Sequence, residues 1–343
     1  METLILDANL ENSIQKAASI IRCGGLVAFP TETVYGLGGN GLQKDAALHI
    51  YEAKGRPSDN PLILHLSDPM EAEKYCYVEP LYYTLAAAFM PGPLTVIMKK
   101  RDVVPSTVTG GLDTVAVRVP SDPIARKFLL ACEVPVAAPS ANISGRPSPT
   151  TAEHVKKDLV GRIDAILAGG DCEIGLESTI VKLDGEHLTL LRPGAITPEM
   201  LSVVFPSVKV DDCSMRPIAE GETPAAPGMK YRHYAPKAKV TILEGTPDRV
   251  ISFQIEAAKK DGTGILCYSK HISKIDGRYV VGIGDFPEEM AKKLFAALRW
   301  FDDVEGVDQI YAVMPPSDGI GMAVRNRLMK AAGFSVINLD EQE

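Results

Sequence analysis

Short apolar runs alternate with amphipathic segments over most of the chain. NLENSIQKAASIIRCGG (9–25) has apolar residues at helical spacing and ends in Gly-Gly, which predicts a helix with a stop. LVAFP (26–30) is a short buried strand, KDAALHIYEAKG (44–55) a helix and PLILHL (61–66) a strand. TVAVRVP (114–120) alternates. DPIARKFLLACE (122–133) is a helix with Pro in its first turn. VPVAAPS and DAILAGG are buried strands ending in loops. STIVKLDGEHLTLLRPG (178–194) predicts a hairpin around Asp184-Gly185. These elements predict a mixed α/β domain over 1–205 whose sheet need not be purely parallel.

Beyond 205 the pattern fails. Residues 206–237 are rich in Pro, Gly and polar side chains, without an apolar period. They read as a linker, long for a loop inside a domain. Order resumes over 238–343, where strands VTILEG, TGILCYS, YVVGIG, QIYAVMPP and FSVINL alternate with three helical segments. That predicts a second, smaller α/β domain of Rossmann-like pattern.

Composition changes this picture little. The chain has 343 residues, 45% hydrophobic and 23% charged, with net charge −8. The acidic balance argues against broad nucleic-acid binding, so direct tRNA binding is expected to be weak or absent. Cys23, Cys76, Cys132, Cys172, Cys213 and Cys267 form no Cys-x-x-Cys pair, which leaves reduced, mostly buried thiols of a cytoplasmic protein. The first residues show no basic region or long apolar core of a secretory leader. Residues 80–98 carry no charge, but Pro91-Gly92-Pro93 breaks them. They predict a helix, a turn and a strand, not a membrane span.

Candidate chemistry sits in the loops. AFPTETVYGLGGNG (28–41) contains Gly36-x-Gly38-x-x-Gly41. A dinucleotide loop would place its first glycine at the strand end, and here five residues intervene after Pro30. The glycines read as a structural turn instead. The PTET insert offers two threonines and a glutamate at a strand end, for a ligand or for capping a turn. Lys54 and Arg56 frame Gly55 and Pro57 at a helix end, with Asn60 and His65 following. That placement suits the helix dipole and equally suits an oxyanion. Ser140, Asn142, Ser144 and Ser148 lie on a stiff loop, as ligand donors or as turn formers. Arg118 stands in an apolar strand and requires an anionic partner. Lys230, Tyr231, Arg232, His233, Tyr234 and Lys237 form a basic aromatic stretch in the linker, read as a lid over an anionic, ring-bearing ligand. No Ser-His-Asp triad and no metal spacing is evident. Cations and hydroxyls suit positioning and charge neutralisation around phosphate. An RNA-binding module and a dinucleotide oxidoreductase are the alternative classes.

Together, PTETVYGLG, KGRPSDNPLILH, PGPLT, VRVP, PSANISGRPSPT, ESTIV, LRPGAIT and PGMKYRHYAP resemble the threonylcarbamoyl-AMP synthase family (YrdC-like) in its longer two-domain form. The resemblance implies a first α/β domain with an open twisted mixed sheet and a large, positively charged cavity. It also implies that L-threonine and bicarbonate give an N-carboxylated threonine, which attacks the α-phosphate of ATP. Threonylcarbamoyl-AMP and pyrophosphate result. Other proteins would then modify adenosine 37 of tRNAs reading ANN codons. Mg²⁺ would accompany ATP, with no protein side chain assigned to it. The family's four-residue signature falls on Lys54, Arg56, Ser140 and Asn142. Threonine contacts fall on Thr33, His65, Arg118, Ala138 and Ser178. Nucleotide contacts fall on Arg56, Asn60, Thr114, Ser140, Ser148, Arg192 and Tyr234. Met90, Ala226 and Lys182 depart from the family's usual Trp, Ser and Asp.

Overall fold

The computed structural model describes residues 2–211 and 233–341. The chain divides into two compact units. One comprises Met1–Ser144 and Ser148–Lys230; the other comprises Gly145–Pro147 and Tyr231–Glu343.

The first unit is built on one mixed sheet of eleven strands. In chain order these are β1 (Leu4–Asp7), β2 (Val27–Phe29), β3 (Gly36–Asn40), β4 (Ile63–His65), β5 (Leu94–Lys99), β6 (Thr114–Arg118), β7 (Val136–Ala138), β8 (Ala165–Ala168), β9 (Thr179–Asp184), β10 (His187–Arg192) and β11 (Val208–Val210). Their spatial order is β1-β8-β2-β3-β7-β4-β6-β5-β9-β10-β11. The mixed character follows from the pairings: β4 runs parallel to β6 and antiparallel to β7, and β9 and β10 form the expected hairpin. The helices are α1 (Glu11–Arg22), α2 (Lys44–Lys54), α3 (Pro80–Phe89), α4 (Pro123–Cys132), α5 (Ala152–Leu159) and α6 (Pro198–Val204). Residues 80–98 form a helix, a turn and a strand as the sequence predicts. Among the described residues no helix is long and apolar enough to cross a membrane.

Strand alternation divides the buried side chains between two faces. Ala28, Leu64, Val96, Val115, Val117, Ala137 and Val181 pack with residues of α2, α3 and α5 in the larger core. Their neighbours point the other way. Val27, Phe29, Val136 and Ala138 meet α1 and α4. Further along that second face, Ile63, Ile97, Ala116, Ile180 and Leu191 form a small cluster of strand-end and strand residues alone. The polar residues of interest surround this helix-free part.

Two expectations are corrected. Gly36-Leu37-Gly38-Gly39-Asn40 is not a turn but the whole of β3, antiparallel to β2. A Cβ at Gly38 would fall 2.6 Å from Val136 Cγ1, and one at Gly41 2.9 Å from the Pro135 carbonyl oxygen. The glycines serve close strand packing, and none of Gly36, Gly38 or Gly41 has positive φ. An antiparallel β2–β3 pair also rules out a dinucleotide-binding βα unit here. Second, Val208–Val210, within the stretch read as linker, pairs parallel with β10. Three residues are too short to register as a period.

The second unit carries a fully parallel sheet of β12 (Lys239–Glu244), β13 (Thr263–Cys267), β14 (Tyr279–Gly282), β15 (Gln309–Val313) and β16 (Val336–Asn338). Helices α7 (Pro247–Ala258), α8 (Pro287–Asp303) and α9 (Gly321–Ala331) connect it. The order β14-β13-β15-β12-β16 sets β15 between β12 and β13, which the familiar dinucleotide-binding order keeps adjacent.

Candidate active site

Register assembles the site. His65 on β4 pairs with Val136 on β7 and with Arg118 on β6. Arg118 pairs with Thr95 on β5, Thr95 with Ile180 on β9, and Ile180 with Arg192 on β10. One row across the sheet therefore gathers residues far apart in sequence. Alternation places Ala138 and Thr114 on the same face, with Ser178 two residues before Ile180. His65, Arg118, Thr95, Ser178 and Arg192 are all buried.

Within the row the contacts are specific. Arg192 donates from Nε to the Ser178 carbonyl at 3.0 Å and from Nη2 to Ser178 Oγ at 3.1 Å. Thr95 Oγ1 lies 2.7 Å from the same hydroxyl. The His65 Nδ1 is 3.2 Å from the Ile63 carbonyl oxygen. A carbonyl only accepts, so that nitrogen carries the proton. Burial, with the Arg118 charge nearby, pushes the imidazole down to about 3. His65 is a neutral group at physiological pH.

The PTET insert joins β2 to β3 and lies against this row. Glu32 Oε1 accepts from Arg118 Nη2 at 2.7 Å, both side chains being nearly inaccessible. Glu32 Oε2 and Arg118 Nε are buried without hydrogen-bond partners. Thr31 and Thr33 bond hydroxyl to hydroxyl at 2.9 Å. Thr31 donates its only hydroxyl proton to the Val34 carbonyl at 2.7 Å. Thr33 must then be the donor toward Thr31, and its remaining lone pairs can only accept. The two alternatives for PTET thus coexist: Thr31 closes the turn, and Thr33 offers an acceptor.

Lys54 ends α2, where Gly55 takes the left-handed conformation (φ 61°). Its ammonium is buried and donates to the main-chain carbonyls of Ser140 and Asn142. Ser144 returns a bond to the Lys54 carbonyl at 2.9 Å. Lys54 thereby builds the Ser140–Asn142 loop. Ser140 Oγ donates to Asn142 Oδ1 at 2.5 Å, and Asn142 Nδ2 to the Ile143 carbonyl at 2.8 Å. Arg56 Nη2 holds the carbonyls of Asn60 and Pro61 at 3.1 and 3.0 Å. The Asn60 side chain is buried, and neither atom of its amide has a hydrogen-bond partner. Ser148 Oγ donates to Glu177 Oε1 at 2.5 Å.

Register thus brings His65, Arg118, Thr95 and Arg192 into one row with Ser178 beside it, Glu32 bonds to Arg118, and Lys54 bonds separately to the Ser140–Asn142 loop. Tyr234 belongs to the second unit, where its ring stacks on Phe295 with centroids 5.1 Å apart. Lys230, Tyr231 and Arg232 lie outside the described residues, as do Cys213 and Ala226. Sequence reasoning missed Thr95, Glu177 and the carboxylate role of Glu32. Thr95 looks like an ordinary strand threonine, and only register places it beside Ser178. Among the described cysteines Cys76, Cys132, Cys172 and Cys267 are buried and Cys23 is exposed.

Known proteins resemble the chain along both of its units. Residues 19–194 match the family described as "Telomere recombination", and residues 196–333 match "Threonylcarbamoyl-AMP synthase, C-terminal domain". The chain is 46% identical to the threonylcarbamoyl-AMP synthase of Pyrococcus abyssi over 96% of both chains. It is 46% identical to that of Bacillus subtilis over 94% of both. The crystal structure of P. abyssi Sua5 complexed with L-threonine superposes with a TM-score of 0.91 at 44% identity, covering 98% of this chain and 99% of that one. The chain belongs to the threonylcarbamoyl-AMP synthase family.

Proposed function

We propose that this protein makes L-threonylcarbamoyladenylate from L-threonine, bicarbonate and ATP, releasing pyrophosphate. What carries the reading is a set of buried polar atoms without partners: Asn60 Nδ2 and Oδ1, Glu32 Oε2 and Arg118 Nε. Buried polar atoms normally find partners, and a polar ligand would supply them here. L-Threonine is the ligand in the P. abyssi relative, which supports threonine as the substrate, and buried Arg118 is the cation that would meet its carboxylate.

In this reading the nucleophile belongs to the substrate. The threonine nitrogen attacks the carbon of bicarbonate, water leaves, and an N-carboxylate forms. One oxygen of that carboxylate attacks the α-phosphorus, and the bond to pyrophosphate breaks. Protein groups position and neutralise. Arg118 takes the threonine carboxylate, Thr33 accepts from a substrate donor, and neutral His65 and Ala138 close the small site. Asn60, Thr114, Ser140 and Ser148 address the nucleotide, with Arg56 and Arg192 supplying positive charge. Lys54 acts through the loop it ties down.

Mg²⁺ enters with the triphosphate. Among the described residues no group of three or more His, Cys, Asp or Glu could hold a metal. The ion's ligands would then come chiefly from the triphosphate and water. The adduct would pass to proteins that modify adenosine 37 of tRNAs reading ANN codons, in the cytoplasm. The chain itself would bind tRNA weakly, given its net charge of −8.

The test is an omission assay with mass detection of the adenylate. Pyrophosphate and adduct are expected only when ATP, threonine and bicarbonate are all present. Equal pyrophosphate release without threonine overturns the reading.

A further inference from the structure

The Glu32–Arg118 pair does more than bury a cation. Arg118 reaches Glu32 through Nη2 alone, and the second carboxylate oxygen is buried with no donor. Glu32 is 4% exposed, so water does not satisfy that oxygen in bulk fashion. Its main chain is fixed as well: the Ile174 N–H donates to the Glu32 carbonyl at 2.8 Å, and Gly175 to the Thr33 carbonyl at 3.1 Å. The carboxylate is therefore held on a rigid turn beside the arginine.

A lone buried arginine would attract any carboxylate. Here its charge is already balanced by Glu32, so a simple anion gains little net attraction and meets the repulsion of Glu32. A zwitterion behaves differently. Its carboxylate meets Arg118 while its ammonium meets Glu32, and each charge lies beside an opposite one. We propose that Glu32 is the specificity-determining residue that reads the substrate's amino group, with Oε2 accepting an N–H. The proposal deepens the threonine reading and rests on it. One N–H survives when the nitrogen is carboxylated, so the same bond can hold the nitrogen through the first step. Thr33 Oγ1, an acceptor by the proton count above, stands next in sequence to share the ammonium.

The experiment compares two ligands that differ only in the amine: L-threonine and (R)-3-hydroxybutyrate. Dissociation constants are measured by calorimetry on the full chain and on Glu32→Gln. The unmodified protein is expected to prefer threonine. In Glu32→Gln that preference should shrink by about 10- to 100-fold, the value of one charge-assisted hydrogen bond. General damage to the fold would weaken both ligands together and leave the ratio alone. If Glu32→Gln does not fold, the ratio is read in Glu32→Asp, where a shortened carboxylate should also reduce it. An unchanged ratio in a folded variant overturns the role of Glu32. Absence of threonine binding to the unmodified protein overturns the threonine reading itself.

Discussion

Glu32 Oε1 and Arg118 Nη2 stand 2.7 Å apart, with side chains 4% and 5% exposed, although 86 positions separate them in sequence. Removing one partner leaves the other charged and buried. Arg118→Ala should therefore destabilise the first unit by about 3–5 kcal/mol. Replacing both residues together with methionine should recover much of that loss, because a buried ion pair adds little over well-packed apolar groups. Urea midpoints of the single and double variants test this. A double variant no more stable than Arg118→Ala contradicts it. Neither variant should bind threonine.

Lys54 offers a second prediction. Its ammonium reaches the main-chain carbonyls of Ser140 and Asn142, from the last residue of α2. Lys54→Met should loosen the 140–144 loop and weaken nucleotide binding by at least about 10-fold, given two hydrogen bonds to a charged donor. Lys54→Arg should not rescue it, since a planar fork does not replace a compact ammonium in a buried site. Hydrogen exchange at the loop separates this from direct phosphate contact. Unchanged exchange with lost binding would assign Lys54 to the ligand instead.

How far the sequence disclosed this site depends on the kind of contact. Helices with apolar stripes were legible, as were α2's glycine stop and the Asp184-Gly185 hairpin. Local patterns encode these. The PTET, Lys54 and Ser140 stretches were legible only as polar groups at element ends, where ligand contacts and turn or cap formation look alike in sequence. α5 and α6 were not read, although Thr151 and Thr197 cap them by accepting from the N–H three residues on. Their helices are too short for a strong period. The His65–Arg118–Thr95 row was invisible because register is a long-range property. The direction of the error at Gly36–Asn40 is equally physical: a glycine run selected for close packing looks like one selected for a turn.

Gly38 tests that distinction. A methyl group there would sit 2.6 Å from Val136 Cγ1 and 3.1 Å from the Phe29 ring. Gly38→Ala should destabilise by about 1–3 kcal/mol through overpacking. Adding Val136→Ala opens the space and should return part of the loss, a coupling that double-mutant analysis reads directly. If the glycine served a turn, the second substitution would only add its own cost.

His65 gives the pH dependence. Burial and Arg118 push its imidazole from the ordinary 6.5 down to about 3 in the folded protein. The unfolded chain therefore binds a proton between these values that the folded chain refuses. Stability from this group is complete above pH 6.5 and declines as pH falls from there toward 3. The slope reaches about 1.4 kcal/mol per pH unit at most. Buried carboxylates also titrate in acid, so the comparison must be with His65→Gln, which keeps a polar side chain but takes up no proton. Urea midpoints from pH 4 to pH 7 should fall more steeply for the unmodified protein than for the variant. Parallel profiles would show that His65 is charged in the folded state or reaches solvent. Between pH 7 and 8 the imidazole stays neutral in the folded protein, so the dependence of kcat/KM on pH in that range should be the same in the two proteins, and any inflection there belongs to another group.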